Sequence, residues 1–229
     1  MKKSANEFRS ALNYALIALT AAFALNAFQP AIVDAAMMRF KVDPDRSTVS
    51  AEVAEPLAVI RGNATGTFRI IDGAVSGDPT SISSTAKVRI LIDAGSYRSD
   101  NPSRDRSVTE KSLEADKYPT IGFESNTIVG VVMTGPRECT AIVTGFLTLH
   151  GEAHATTMSV HATLDANGVF TGDGEIKLNY EDYGVKVPGV LFHAILAGDE
   201  ATVRFHIVAL NVGLSAPGAP AVPPPAPPR

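Results

Sequence analysis

The chain has 229 residues, 45% of them hydrophobic and 19% charged, a balance that suits a folded globular protein and excludes a disordered one. Its net charge of −4 argues against a nucleic-acid partner, which calls for a basic excess or patch. The single cysteine, Cys139, excludes an internal disulfide, CxxC zinc sites, iron–sulfur clusters and haem attachment.

At the N-terminus, Lys2, Lys3 and Arg9 precede an apolar run from Ala11 to Phe28, and Val33-Asp34-Ala35-Ala36 follows. That order matches a secretory signal peptide. Val33 and Ala35 occupy the −3 and −1 positions for a cut after Ala35. Residues 1–35 are therefore expected to be removed, with the mature protein periplasmic or secreted. The rival is an uncleaved membrane anchor. Asn13, Tyr14, Thr20 and Asn26 interrupt the run, whereas a spanning helix takes about 20 mostly apolar residues. Residues 1–36 carry three basic side chains against Glu7 and Asp34, so the remainder is slightly more acidic than the whole.

From residue 38 to 212 the pattern is β. Val88, Ile90 and Ile92 share a face, with Lys87 and Arg89 opposite. The same period of two groups Ile121, Phe123, Ser125 and Thr127, then Val143, Gly145, Leu147 and Leu149. It continues through Met158, Val160, Ala162 and Leu164, and through Ala201, Val203, Phe205 and Ile207. Half-buried antiparallel strands have this period. Turns are expected at Asp72-Gly73, Gly77-Asp78-Pro79, Gly135-Pro136, Asn167-Gly168 and Gly198-Asp199. Gly62, Gly66 and Gly73 read as bulges or turns. Many short strands with such turns make a sandwich or a barrel. The segment Ser103 to Asp116 departs from the pattern. It is polar, with Val108 and Leu113 as its large apolar residues, and reads as a short helix capped by Ser103 or Asp105 and covering one end of the sheet structure. Residues 213–229 form a tail, since Ser215–Arg229 holds seven of the fifteen prolines and proline cannot donate to a ladder.

Several positions on the apolar faces are small or weakly polar: Gly145, Ala162, Ala201, Ser125, Thr127 and Thr156. An eight-stranded barrel with small inward residues has room for one slender apolar ligand. The other reading is a β core packed without one. His150, Glu152 and His154 invite a metal reading, but Gly151 and the flanking β pattern place them as solvent-facing turn residues, short of the ligands a zinc site requires. Cys139 reads as a free edge thiol without a paired base. Arg104, Asp105 and Tyr118 either pin the short helix or grip a ligand's head group with guanidinium donors.

Four stretches resemble one family. They are Phe40-Lys41-Val42-Asp43-Pro44 with Ser47, Ser103-Arg104-Asp105 leading to Lys117-Tyr118-Pro119-Thr120-Ile121-Gly122-Phe123-Glu124-Ser125, Thr144-Gly145-Phe146-Leu147-Thr148-Leu149-His150-Gly151, and Asp182-Tyr183-Gly184-Val185. In order and spacing they resemble the YceI family of lipocalin-like, polyisoprenoid-binding proteins. The chain departs from the family with Arg46 in place of a histidine, Tyr180 in place of an arginine, and His154-Ala155-Thr156 where a basic residue, Pro and Val are usual. The resemblance implies an all-β fold, an extended eight-stranded antiparallel lipocalin-like barrel with a short helix near residues 103–116. It implies a long apolar cavity, an isoprenoid lipid or quinone as ligand rather than cofactor, no catalytic residue and no metal. The inward positions expected to line that cavity are Phe68, Val88, Ile90, Phe123, Val143, Leu147, Met158, Val160, Leu178 and Phe205. The expected function is non-covalent sequestration or transport of a long-chain isoprenoid or similar amphiphile in the periplasm. This leaves room for transient membrane contact and a homodimer. The alternative is a non-enzymatic accessory protein that docks on a membrane complex through its surface or Pro-rich tail.

Overall fold

The computed structural model describes residues 37–53, 64–186 and 200–214. The leader, Gly62, the Gly198-Asp199 turn and residues 215–229 lie outside them, whereas Gly213 and Leu214, expected in the tail, end the last strand and pair back to Met38. Nine strands run among the described residues: β1 Met38–Val42, β2 Thr48–Val53, β3 Ala64–Gly77, β4 Lys87–Ser99, β5 Thr120–Gly135, β6 Glu138–Leu149, β7 Glu152–Leu164, β8 Val169–Asn179 and β9 Glu200–Leu214. Two short helices, α1 Ile82–Thr85 and α2 Pro102–Ser107, and a 3-10 turn at Tyr180–Tyr183 complete the order. The nine strands make eight staves. β1 and β2 both lie antiparallel between β3 and β9, β1 facing the C-terminal halves of those strands and β2 the N-terminal halves. Antiparallel pairing from β3 through β9 closes the ring into an eight-stranded barrel.

Pro44 explains the break in the first stave. It has no N–H to give the ladder, and the chain turns between Val42 and Thr48 before the stave resumes. The buried Ser47 hydroxyl substitutes for the missing backbone. It accepts from the Val208 N–H at 2.9 Å and donates to the Asp43 carbonyl at 2.7 Å. The Asp43 N–H in turn donates to the Val208 carbonyl at 2.8 Å, so the β9 groups opposite the break are not orphaned.

Three local expectations need correction. Asp72-Gly73 is not a turn. It lies inside β3 beside a register shift between Ile70 and Asp72, and the bulge lets Ile70, Gly73 and Val75 all face inward. Thr127 does not share the inner face of β5. A shift between Ser125 and Thr127 leaves Thr127 exposed and turns Ile128 into the core. The cap of α2 is neither Ser103 nor Asp105 but Asn101, whose side chain accepts from the Ser103 and Arg104 amides, with Pro102 in the first turn. The helix widens into a π turn over Val108–Ser112. Val108 and Leu113 pack into the barrel's larger apolar cluster, so the segment covers one end as expected.

The outer wall is held by cross-strand charge pairs. Lys41, Asp72, Arg89 and Glu124 form a chain across β1, β3, β4 and β5, with Arg89 reaching Glu124 at 3.2 Å. Arg204 joins Glu52 at 2.6 Å and Glu175 at 3.2 Å across β2, β9 and β8. Exposed pairs contribute little stability, but they fix which face points outward, because a slip of one residue would bury them.

Candidate functional site

The candidate site is the barrel's interior. Its apolar side chains form two clusters. One is built on Ile121, Val143, Leu147, Met158 and Ile176, the other on Phe40, Val42, Ile70, Ile90 and Ile207. Ile92, Val203 and Phe205 pack against both and make the lining continuous. All ten residues expected from the sequence to face inward do so. Ile90, Val143, Leu147 and Met158 are buried in the clusters, and Phe68, Val88, Phe123, Val160, Leu178 and Phe205 pack against them while staying half-buried. Half-burial leaves these six side chains partly open to solvent. Sequence reasoning missed Ile92 and Val203 as bridging residues, although both sit on the alternation it used.

The small inner residues act differently from expectation. Gly145 does not leave a void. A Cβ there would lie 2.7 Å from Phe123 Cζ and 2.3 Å from the Glu124 carbonyl oxygen. At Gly174 it would lie 2.5 Å from Phe205 Cζ, and at Gly66 2.2 Å from Tyr97 Cζ. Each glycine thus lets an aromatic ring come up against the backbone, in space that a Cβ would take. The Tyr97 ring also meets Phe68 at 5.2 Å between centroids, and burial raises its phenol pKa above the ordinary value.

One end of the barrel carries α2, the β6–β7 turn and the 3-10 turn. Here His150 is not solvent-facing. Its Nε2 lies 2.6 Å from Glu114 Oε2 and its Nδ1 3.2 Å from the Tyr183 carbonyl oxygen, while Tyr118 packs on the ring at 4.3 Å between centroids. Both ring nitrogens thus lie within hydrogen-bond distance of an oxygen, which holds the ring in place between the two turns. Glu114 and His150 are also the two non-glycine residues with left-handed backbone among the described residues, at φ 44° and 53°. Their bond therefore ties together two strained turns. His154 does not join a metal site with His150 and Glu152; its ring packs edge-on against Tyr183 at 4.7 Å. No group of three or more metal-ligating side chains occurs among the described residues.

Tyr183 has a further part. β7 pairs with β8 only from Ser159 to Leu164 among the described residues, so the two strands part towards this end. The buried Tyr183 side chain fills that parting, its hydroxyl within 3.5 Å of Thr156 Oγ1.

Arg104, Asp105 and Tyr118 do not converge on a head-group site. Asp105 is buried and accepts from the Ser99 N–H at 2.8 Å and the Ser99 hydroxyl at 2.7 Å, which pins α2 to the end of β4. Arg104 pairs with Asp100 at 2.8 Å, and Tyr118 belongs to the His150 turn. A surface recess of about 310 Å³ beside α2 is instead lined by Arg98 and Arg106 with Asp105. Cys139 is a free, half-buried thiol on β6 whose pKa is raised by burial, the opposite of an activated nucleophile. No helix among the described residues is long and apolar enough to cross a membrane.

Known proteins share this architecture. A family profile described as the YceI-like domain matches residues 40–209. The UPF0312 proteins of Pseudomonas putida and Pseudomonas syringae are 33% identical over 132 and 134 residues, covering 54% of this chain and 65% of those relatives. The matched part is thus just under two thirds of the relatives' length. Among solved structures, Burkholderia cenocepacia BcnA aligns with a TM-score of 0.58 and 25% identity, over 73% of this chain and 98% of that one. A polyisoprenoid binding domain from Saccharophagus degradans aligns with a TM-score of 0.55 at 13% identity, over 75% of this chain and 98% of that one, which shows a common fold. With the profile spanning most of the chain and the barrel closed as the motifs imply, this protein belongs to the YceI-like domain family.

Proposed function

We propose that this barrel is a non-enzymatic carrier that holds the apolar chain of a long isoprenoid lipid or quinone, in a periplasmic protein whose first 35 residues are removed on export. The observation that carries the reading is the inner wall. It is apolar from one cluster to the other, and six of its expected lining residues remain half-buried inside a closed ring. Such a wall offers few partners to a polar molecule and suits a slender hydrocarbon. Each Å² of chain buried contributes about 25 cal/mol before the costs of association. The fold shared with a Saccharophagus degradans domain described as polyisoprenoid-binding supports the same chemistry.

The test is mass spectrometry of the exported protein, native and then after organic extraction, beside the Val160→Trp variant. Wild type is expected to release a stoichiometric isoprenoid only on denaturation, with an intact mass that begins at Ala36. Val160→Trp, on the inner face, is expected to fold but carry no lipid. A wild-type protein that stays empty and refuses added quinones and polyprenols would sink the carrier reading.

A further inference from the structure

The barrel's two ends are closed in different ways. At the end that holds the β3–β4 turn, α1 brings Ile82 and Ala86 against the larger apolar cluster. The polar groups that fasten it are paired. The Asp78 carboxylate accepts from the Thr80 amide and hydroxyl and from the Ser81 hydroxyl. The Thr85 hydroxyl accepts from the Asp78 N–H and donates to the Ser81 carbonyl.

The closure at the α2 end is less settled. Val108 and Leu113 pack on the same cluster, but Ser112 beside them is only 3% exposed. Its hydroxyl is the one buried side-chain polar atom without a hydrogen-bond partner among the described residues. A buried hydroxyl left unpaired weighs against the conformation that buries it. The winding is irregular too. The Leu113 N–H reaches back to the Val108 carbonyl at 2.8 Å, and the Ala115 N–H to the Thr109 carbonyl at 2.9 Å. Such wide turns inside helices are rare and gather at functional places. Glu114 then adopts left-handed backbone.

The segment's roots are both on β4. Asp105 is bonded to Ser99 at one root, and the Pro119 carbonyl accepts from the Ala94 N–H at 3.0 Å at the other. Between the roots, one side-chain hydrogen bond ties the segment to the rest of the barrel among the described residues. It is the bond from His150, on the β6–β7 turn, to the Glu114 carboxylate at 2.6 Å, with Tyr118 packed on the same imidazole.

We propose that residues 106–118 are the door through which the lipid enters and leaves, hinged on β4 and latched by Glu114 to His150. Closing buries Val108 and Leu113; opening gives the Ser112 hydroxyl to water. The two tendencies oppose each other, and the single latch decides between them. The proposal deepens the carrier reading and rests on it, since a closed ring that holds a long chain needs one end that yields.

Two conservative substitutions should move the door in opposite directions. Ser112→Ala takes the unpaired hydroxyl out of the closed form and should slow opening. Glu114→Gln keeps the size of the side chain but puts a neutral amide at the latch, and should quicken opening, each by about tenfold. The probe is dansyl-labelled geranylgeraniol, loaded on the exported protein and chased with the unlabelled alcohol. Release should slow in Ser112→Ala and quicken in Glu114→Gln. Uptake should change in the same sense and Kd by less than about twofold, because a door that shifts alike in the free and loaded barrel alters both rates and not the affinity. Amide exchange at Leu113 and Ala115 should follow the same order without any probe. Thr85→Ala, which loosens α1, should leave release unchanged. The proposal is overturned if either door variant leaves release as it was or moves it the other way. It is also overturned if Thr85→Ala quickens release as much as Glu114→Gln, which would make the α1 end the way out. Uptake by the wild type tests the carrier reading separately: uptake with release alike in all variants removes the door and keeps the carrier, and no uptake removes both.

Discussion

Replacing Ser47 by alanine tests whether one hydroxyl repairs the broken stave. In the wild type that hydroxyl accepts from the Val208 N–H at 2.9 Å and donates to the Asp43 carbonyl at 2.7 Å, at a buried position. Alanine leaves the Val208 N–H without its acceptor, at a place where Pro44 keeps the backbone from closing in. An unsatisfied buried donor costs about 1–3 kcal/mol, and a methyl in place of a hydroxyl recovers little. For a barrel of this size about 1 kcal/mol moves Tm by about 2–4 °C, so a loss near the middle of the range lowers Tm by about 4–8 °C. The assay is thermal unfolding by circular dichroism, with amide exchange at Val208 as the local readout and exposed Thr48→Ala as control. Ser47→Ala should lower Tm and speed exchange at Val208, whereas the control should do neither. An unchanged Tm with Val208 still protected would refute the reasoning.

Other outcomes follow from the same geometry. Gly174→Ala drives a Cβ against the Ser159 carbonyl and the Phe205 ring, and should cost about 1–3 kcal/mol in urea unfolding. Gly122→Ala meets nothing closer than Leu91 Cδ1 at 3.8 Å and should be neutral or slightly stabilising; equal effects at the two sites would remove the ring-seat account. Tyr183→Ala empties the parting between β7 and β8 and should lower stability by about 3–5 kcal/mol, with Tyr183→Phe close to wild type, since the ring does the filling. Turn hydrogen bonds, first the Thr80 amide for Asp78 and the Val169 amide for Asp165, hold both carboxyls below their usual pKa. Depressed pKa values give stability that is present above the unfolded value of about 3.9 and is lost as pH falls through the folded values. Stability should therefore be level near neutrality and fall below about pH 4, and Asp165→Asn should be less stable at neutral pH with a shallower acid decline. An unaltered acid limb in that variant would count against the assignment.

How far the sequence reveals this molecule depends on the reach of each signal. β6 is fully legible. From Ala141 to Leu149 every second residue is buried, and the alternation says so without help. β5 is legible only to Ser125, because a bulge swaps the faces without changing strand composition; the same blindness made Asp72-Gly73 look like a turn. The helix start is legible, since Asn101-Pro102 is an N-cap followed by proline at the first helical position, although Ser103 and Asp105 just after it are competing caps of the same residue types. The inward residues followed from periodicity. The ring seats could not, since the lining rings at Gly174 and Gly66 come from Phe205 and Tyr97, on neighbouring strands distant in sequence. Nor could the Glu114–His150 bond, which joins residues 36 apart in the chain with no local pattern between them.

The aromatic rings parked on glycines have a mechanical consequence. At Gly66, Gly145 and Gly174 the missing side chain lets Tyr97, Phe123 and Phe205 take the space a Cβ would occupy. A larger residue at any of these positions must push a ring off its seat and into the interior. The room inside the barrel is thus set at three backbone positions that carry no side chain of their own, and a change there is felt on the neighbouring strand.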